Sequence, residues 1–341
     1  MRGQNNSSAS QTKRIHIGVD LLGSDTSPED FIPAVSTFLK NHPEIYLTVF
    51  GTEKQSPHFS TNHQVSFFPV QEIIEMDDDP LISIRRKKNS SICLGIKKLH
   101  EHQIDAFVSA GNTGAIMASA KTTLAMLPGI DRPALLVLLP TKNTPMAVLD
   151  VGANVSYKAK HLLHFATMGI AFQKTRGVAQ PTIGLLNIGS EEKKGTVELR
   201  EAYQQLQFLK KNDNLSSHIF LGNIEAKAVF EGRVDVLVTD GFTGNIFLKT
   251  AEGISAFILD QIKAKLQTWQ SMDLQQMLSS FEKHLHSSEY PGAILCGVEG
   301  IVVKCHGDST PKAFYNAIKG AAELAQGNFL EKIKAELSQN R

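Results

Sequence analysis

The sequence predicts an α/β protein, a three-layer α/β/α sandwich with a mostly parallel sheet and a helical projection, and three observations predict it. Apolar strand-like runs alternate with segments of helical spacing over most of the 341 residues. Several runs are apolar on both faces, as strands between two helix layers must be. They end in loops rich in Gly, Asp, Asn and Ser, and ligands bind at such strand exits in parallel sheets.

The elements follow in order. "RIHIGVD" (14–20) reads as a strand, "PEDFIPAVSTFLKNHP" (28–43) as a helix and "IYLTVFG" (45–51) as a strand. In "RRKKNSS" (85–91), Arg85 and Lys88 stand three apart and can share a helical face. Ser90 or Ser91 can cap the helix "ICLGIKKLHEH" that follows. "DAFVSAG" (105–111), "PTIGLLNIG" (181–189), "HIFLGNI" (218–224), "DVLVTDG" (235–241) and "GIVVKCHG" (300–307) are further strands. "PALLVLLPTKNTPMAVLDVG" (133–152) breaks the rhythm, with two apolar runs about a short polar turn, and predicts an antiparallel hairpin. Residues 254–290 carry apolar residues at three- and four-residue steps without glycine, predicting two helices. Such helices pack on the core or at a dimer interface, and Trp269 also suits a membrane or partner contact.

Composition narrows the class. A hydrophobic content of 42% and a charged content of 20% describe an ordinary soluble globular chain. The net charge of +1 argues against a nucleic-acid binder, which carries a basic stripe. Three unevenly spaced cysteines imply neither a disulfide framework nor a zinc site, and suit a reducing cytoplasm. Residues 1–14 lack the apolar core of a secretory signal and read as a disordered polar tail. Residues 15–341 read as one domain, and no apolar run of 18 residues exists to span a bilayer.

Chemistry is expected where strands discharge their loops. "VSAGNTGAI" begins at Val108 and is echoed by "VTDGFTGNI" from Val238, each a strand, a loop ending in Thr-Gly, and a helix. Glycine lets main-chain N–H groups approach an anion, and a following helix adds its positive end. Thr113-Gly114 and Thr243-Gly244 therefore predict two walls of one anion pocket at the carboxyl edge of the sheet, although both threonines also read as plain N-caps. Lys193 and Lys194 lie at another strand exit, in "SEEKKG". His306 follows Cys305, but neighbours on a strand face opposite ways and make poor partners. G-x-S-x-G, H-E-x-x-H, nucleoside-triphosphate and dinucleotide motifs are all missing, which favours a substrate that brings its own nucleophile.

Together the loops are similar to one family. "VSAGNTGAIMASAKTTLAMLPGIDRPAL" (108–135) resembles the signature block of the bacterial phosphate acyltransferase (PlsX) family of phospholipid synthesis. The likeness continues through "MDDDPLISIRRKKNSS", "DVGANV", "LLNIGSEEKKG", "DGFTGNIFLKT" and "GIVVKCHGDS", from Ile15 to about Ala325. The first loop departs from that family's Asp-Ala-Met-Gly-Gly-Asp run at Leu21-Leu22 and Ser24, but keeps Asp20, Gly23 and Asp25, and "HGDS" stands for a common His-Gly-Ser-Ser.

The resemblance implies transfer of a fatty acyl group from acyl-[acyl carrier protein] to inorganic phosphate, giving acyl phosphate. It implies an isocitrate- or isopropylmalate-dehydrogenase-like sandwich, a homodimer, no cofactor, and a cytoplasmic enzyme touching the inner face of the membrane. Acyl carrier protein and phosphate are the implied partners, with functional coupling to a membrane glycerol-3-phosphate acyltransferase. It assigns Lys194, with Lys193 second, and Asn245 to phosphate or oxyanion stabilisation. Asn112, Thr113, Gly114, Thr243 and Gly244 would form the cradle. Arg85, Lys88 and Ser91 would meet phosphate or the carrier's phosphopantetheine, and His306 would orient a ligand or complete a loop network. Phosphate is itself an oxygen nucleophile, and a thiol of pKa about 8.5 leaves as thiolate unaided. Proximity can then supply about 7–11 kcal/mol, and one oxyanion donor about 2.7–4 kcal/mol. A short-chain acyl-CoA phosphate acyltransferase and a non-catalytic membrane- or carrier-binding scaffold are the alternatives.

Overall fold

Eleven strands form one sheet in the computed structural model, which describes residues 14–212, 219–266 and 291–339. They are β1 (His16–Asp20), β2 (Tyr46–Gly51), β3 (Val65–Pro69), β4 (Ala106–Ser109), β5 (Ala134–Leu139), β6 (Met146–Leu149), β7 (Thr182–Asn187), β8 (Ile219–Glu225), β9 (Val236–Val238), β10 (Ala293–Cys296) and β11 (Ile301–Lys304). Their order across the sheet is β3-β2-β1-β4-β11-β10-β5-β6-β9-β7-β8. The predicted hairpin is present as the antiparallel pair β5 and β6.

Burial on both faces explains the apolar strands. Leu136 and Leu138 of β5 enter one core cluster, whereas Leu135, Val137 and Leu139 enter the other. Helices α1 (Pro28–Asn41), α5 (Ala159–Thr175), α6 (Val197–Asn212), α8 (Pro311–Gln326) and α9 (Phe329–Gln339) cover the first face. Helices α3 (Ser91–His100), α4 (Thr113–Thr123) and α7 (Gly241–Leu266) lie on the second, with the short α2 (Pro80–Arg86) beside α4.

The sheet reverses direction at its centre. All pairings are parallel except β11–β10, β10–β5 and β5–β6. The strands β3, β2, β1, β4 and β11 therefore discharge their loops at one edge, and β6, β9, β7 and β8 at the other. This corrects the expectation that both Thr-Gly exits open on a single carboxyl edge. The reversal is set by long-range strand order, on which local apolar patterns carry no information.

Local reading needs two further corrections. Helix α2 stops at Arg86, so Lys88 lies beyond it and the two cations share no helical face; Ser90, not Ser91, caps α3 by accepting from Cys93 N. The helix expected from Ile254 begins at Gly241 and runs unbroken to Leu266. The remainder of the projection, including Trp269, lies outside the described residues, as do residues 1–13. Ile254, Phe257, Ile258 and Ile262 of α7 are exposed.

The repeated Thr-Gly has a packing cause. Asn112 caps α4, its Oδ1 accepting from Ala115 N at 3.0 Å. In the second copy Asp240 does this, its Oδ1 accepting from Phe242 N and Thr243 N at 3.0 Å each. Neither threonine is the cap, and the cap stands two positions earlier in the second repeat. Each glycine lets its helix start press on a neighbour: a Cβ would lie 2.5 Å from Pro80 Cγ at Gly114, and 2.0 Å from the carbonyl oxygen of Asp150 at Gly244. Gly244→Ala is expected to cost about 1–3 kcal/mol in urea unfolding, because main chain must move. Gly253→Ala, in the open middle of α7 with nothing within 4 Å, is expected to be neutral or to stabilise by about 0.5–1 kcal/mol.

Candidate active site

Three polar residues end three adjacent parallel strands in register: Asp20 of β1 opposite Ser109 of β4, and Ser109 opposite Lys304 of β11. Side chains in register on parallel strands share a face, so these form a polar row at the first carboxyl edge. Ser109 Oγ donates to Asp20 Oδ2 at 2.8 Å and Leu22 N to Asp20 Oδ1 at 3.0 Å; the buried Ser91 hydroxyl also bonds Asp20. Complete burial pushes the Asp20 carboxyl up to about 6, against the pull of these donors.

Lys304 is the buried cation of the row, 7% exposed. Its Nζ donates to the carbonyls of Ala110, at 3.3 Å, and Cys305. Among the described residues no carboxylate forms an ion pair with it. Burial lowers its ammonium to about 8. Cys305 is held protonated, its thiol pushed up to about 12 by burial, so Asp25 and Asp308 are the charges that oppose the effect.

A cavity of about 550 Å³ opens beside Lys304 on the face carrying α4 and α7. Leu135, Val137 and Leu139 of β5, with Leu248 and Leu259 of α7, give it apolar walls. Thr113, Asn245, Lys249, Lys304 and His306 supply polar groups, and the carboxylates of Glu252 and Asp308 also line it. Lys249 Nζ lies 2.7 Å from Glu252 Oε2 and 3.2 Å from His306 Nε2, and the other His306 ring nitrogen contacts Asp308. A cavity of about 560 Å³ lies under α5, α6 and α9 on the opposite face and gathers no strand exit. The cavity beside Lys304 joins an apolar wall to convergent polar and charged groups, which is the pattern of a ligand site.

The second edge is organised by Asp150, at the exit of β6. Its Oδ1 accepts from the main-chain N–H groups of Leu135, Gly152 and Ala153, and its Oδ2 from the main chain and side chain of Asn154, at 2.7–3.2 Å. Burial pushes its carboxyl upward and these donors pull it back. Helix α7 starts on this loop, through Gly241 N to the carbonyl of Asn154 at 2.9 Å and Asn245 Nδ2 to that of Val151 at 3.2 Å. Helix α7 then crosses the sheet face, so Asn245 and Thr113 line one cavity although their strand exits point to opposite edges.

The other expected residues are placed differently. The Asn112 side chain is spent structurally, donating to the carbonyls of Glu75, Met76 and Asp78 while it caps α4. Thr243 and Gly244 form the first turn of α7 on the Asp150 loop. Lys193 and Lys194 are exposed in the β7–α6 loop, outside the cavity lining, and Lys194 Nζ lies 4.0 Å from Glu191. That loop is shaped by Asn187 Nδ2 donating to the Lys194 carbonyl at 3.1 Å and Asn223 Nδ2 to that of Glu191 at 2.8 Å. Arg85 and Lys88 are exposed. Lys304 and Lys249 escaped sequence reading; a lysine closing the otherwise apolar run "GIVVK" was the available signal for the first.

The profile of the fatty acid synthesis protein family matches residues 15–332. The chain belongs to that family. Among relatives of the fatty acid synthesis protein family, the phosphate acyltransferase of Chlamydia caviae is 40% identical over 333 residues, covering 95% of this chain and 99% of the relative. The phosphate acyltransferase of Clostridium tetani is also 40% identical, over 94% of this chain and 97% of its own. In fold, this member of the family is similar to the EutD phosphotransacetylase of Staphylococcus aureus, with a TM-score of 0.61, 16% identity and coverage of 92% and 94% of the two chains. A phosphotransacetylase from Streptococcus pyogenes has a TM-score of 0.60 at 17% identity, covering 94% and 95%.

The raised Asp20 pKa has a consequence for this family member. A carboxyl at about 6 when folded and near 3.8 when unfolded favours folding fully below pH 4 and loses that contribution as pH rises through 6. Relative to Asp20→Asn, wild-type stability is expected to fall by about 2 kcal/mol between pH 4 and 7, from a shift of about two pKa units. Parallel urea-unfolding curves for the two proteins across that range check it; a constant difference refutes the burial argument.

Proposed function

We propose that this chain transfers a fatty acyl group from acyl-[acyl carrier protein] to inorganic phosphate, releasing free carrier and acyl phosphate for phospholipid synthesis. The observation that carries the reading is the phosphate acyltransferase name shared by relatives aligned over 94–95% of the chain. The cavity supports it, since its apolar walls suit an acyl chain and its cations suit phosphate.

In this mechanism a phosphate oxygen attacks the thioester carbon, the carbon–sulfur bond breaks, and the electron pair leaves with the carrier's thiolate. Binding both substrates in one cavity supplies proximity, and donors aimed at the carbonyl oxygen stabilise its developing charge. Asn245 is assigned to that oxygen, with Lys194 approaching from the β7–α6 loop. Cys305 and Cys296 are disfavoured as nucleophiles, because burial keeps their thiols protonated. Exposed Arg85 and Lys88 suit an acidic carrier surface. The enzyme works as a cytoplasmic homodimer coupled to a membrane glycerol-3-phosphate acyltransferase. The exposed apolar residues of α7 support a further contact, with a second copy or the membrane face. Among the described residues no helix is long and apolar enough to cross a membrane.

Phosphate-dependent release of carrier thiol from long-chain acyl carrier is the direct test, with acetyl-CoA as the competing substrate. Rapid release from the long-chain substrate and little from acetyl-CoA is expected; the opposite preference would assign a short-chain acyl-CoA enzyme. Asn245→Ala and Lys194→Ala are each expected to lower kcat by about 10²–10³-fold, Lys194→Ala with an unchanged Tm and Asn245→Ala with a lower one, because it also loses the bond to the Val151 carbonyl. A variant with wild-type kcat removes its residue from the mechanism.

A further inference from the structure

We propose that the buried ammonium of Lys304, with the main-chain amides that begin α4, holds the attacking phosphate. The inference rests on the acyl-transfer reading and adds Lys304, which the sequence did not single out, to the helix start expected to meet an anion.

Lys304 is a buried cation that forms no ion pair among the described residues, with only the more distant charges of Asp25 and Asp308 to favour it. An ammonium has three donors, and two of those of Lys304 go to the carbonyls of Ala110 and Cys305. Carbonyl dipoles only partly replace lost hydration, so a buried charge remains poorly compensated unless an anion joins it. The rest of the polar row does not supply one, because Asp20 is already held by Ser109, Leu22 and Ser91. The open side of Lys304 is the cavity that it lines. Its low ammonium pKa has the same origin, and phosphate in that space would raise it again.

Neighbouring groups fit the same ligand. Thr113 lines the cavity at the start of α4, an 11-residue helix. The amides of Thr113 and Gly114 form no hydrogen bond among the described residues, whereas Ala115 N is taken by the Asn112 cap. A helix start with free N–H groups favours an anion, and here it stands beside a buried cation. Lys249, ion-paired with Glu252 and in contact with His306, adds hydrogen-bond donors to the same space. The β5 wall of the same cavity offers the acyl chain a surface that brings the thioester carbon up to this phosphate.

The test compares wild type with Lys304→Met, which keeps the length and removes the charge, and with Lys304→Arg, which keeps the charge. Lys304→Met is expected to raise KM for phosphate about tenfold or more and lower kcat/KM for phosphate about 100-fold. Its KM for the acyl carrier substrate should stay within about twofold, because uniform binding of that substrate is untouched. Lys304→Arg should recover part of the phosphate affinity. Inorganic phosphate should raise the Tm of wild type but not of Lys304→Met, whose own Tm without phosphate should be equal or higher, since an uncompensated buried charge is gone. An unchanged phosphate KM and an intact phosphate-induced Tm rise in Lys304→Met would overturn the proposal. Absence of thiol release from wild type would instead sink the acyl-transfer reading, while a phosphate-induced Tm rise abolished by Lys304→Met would still support the anion site.

Discussion

The buried carboxylate of Asp150 is the tie on which the rest of the arrangement depends. Five donors converge on its two oxygens from the start of β5 and from its own loop, so one side chain fixes the junction where the sheet turns from one direction to the other. Because a satisfied buried polar network permits few alternative geometries, the loop is rigid where α7 must dock. Gly241, Gly244 and Asn245 then read that loop as a template, through the carbonyls of Asn154, Asp150 and Val151. Everything that α7 brings to the cavity, from Asn245 to Leu259, inherits its position from this contact.

The reversal of the sheet gives α7 its importance. In a sheet with one carboxyl edge, five polar exits would meet without help. Here Asp20, Ser109 and Lys304 end their strands at one edge, while Asp150 and Asp240 follow β6 and β9 at the other. A helix of 26 residues spans about 39 Å, more than the length of these strands. It starts at the second edge and carries Lys249 to within 3.2 Å of His306, beyond the end of β11 at the first. One site thus draws on both edges because a long helix crosses between them.

This also separates what the sequence made legible from what it hid. The β5–β6 hairpin was readable because two apolar runs flank a short polar turn, and the strand and helix classes followed from periodicity. Strand direction was not, since β10 enters the sheet as a four-residue run with no alternation to mark it, and β11 sits beside β4 through contacts distant in sequence. The Thr-Gly repeat was visible, but its meaning is packing against Pro80 and the Asp150 carbonyl, partners that no local pattern names. Lys304 was hidden for a different reason. A lysine at a strand end reads as solvated, and only the fold shows β4 and its exit loop closing over it.

The altered first loop shows how a departure in sequence can leave a site intact. Leu21 and Leu22 are fully buried and enter opposite core clusters, so the positions require apolar bulk, not particular side chains. The contribution of Leu22 to the site is its main-chain N–H to Asp20, which any non-proline residue supplies. Gly23 has a φ of +70° and a virtual Cβ only 2.4 Å from the carbonyl oxygen of Ile74, and glycine is kept there. Ser24 is not among the residues of positive φ, so glycine is not needed at that position, and its Oγ donates to the carbonyl of Thr26 at 2.8 Å. Asp25 then bonds through its main chain to the carbonyl of Gly307 at 3.0 Å, joining the first loop to the exit of β11. What the loop must preserve is main-chain geometry around Asp20 and Lys304, and each retained residue is one on which that geometry rests.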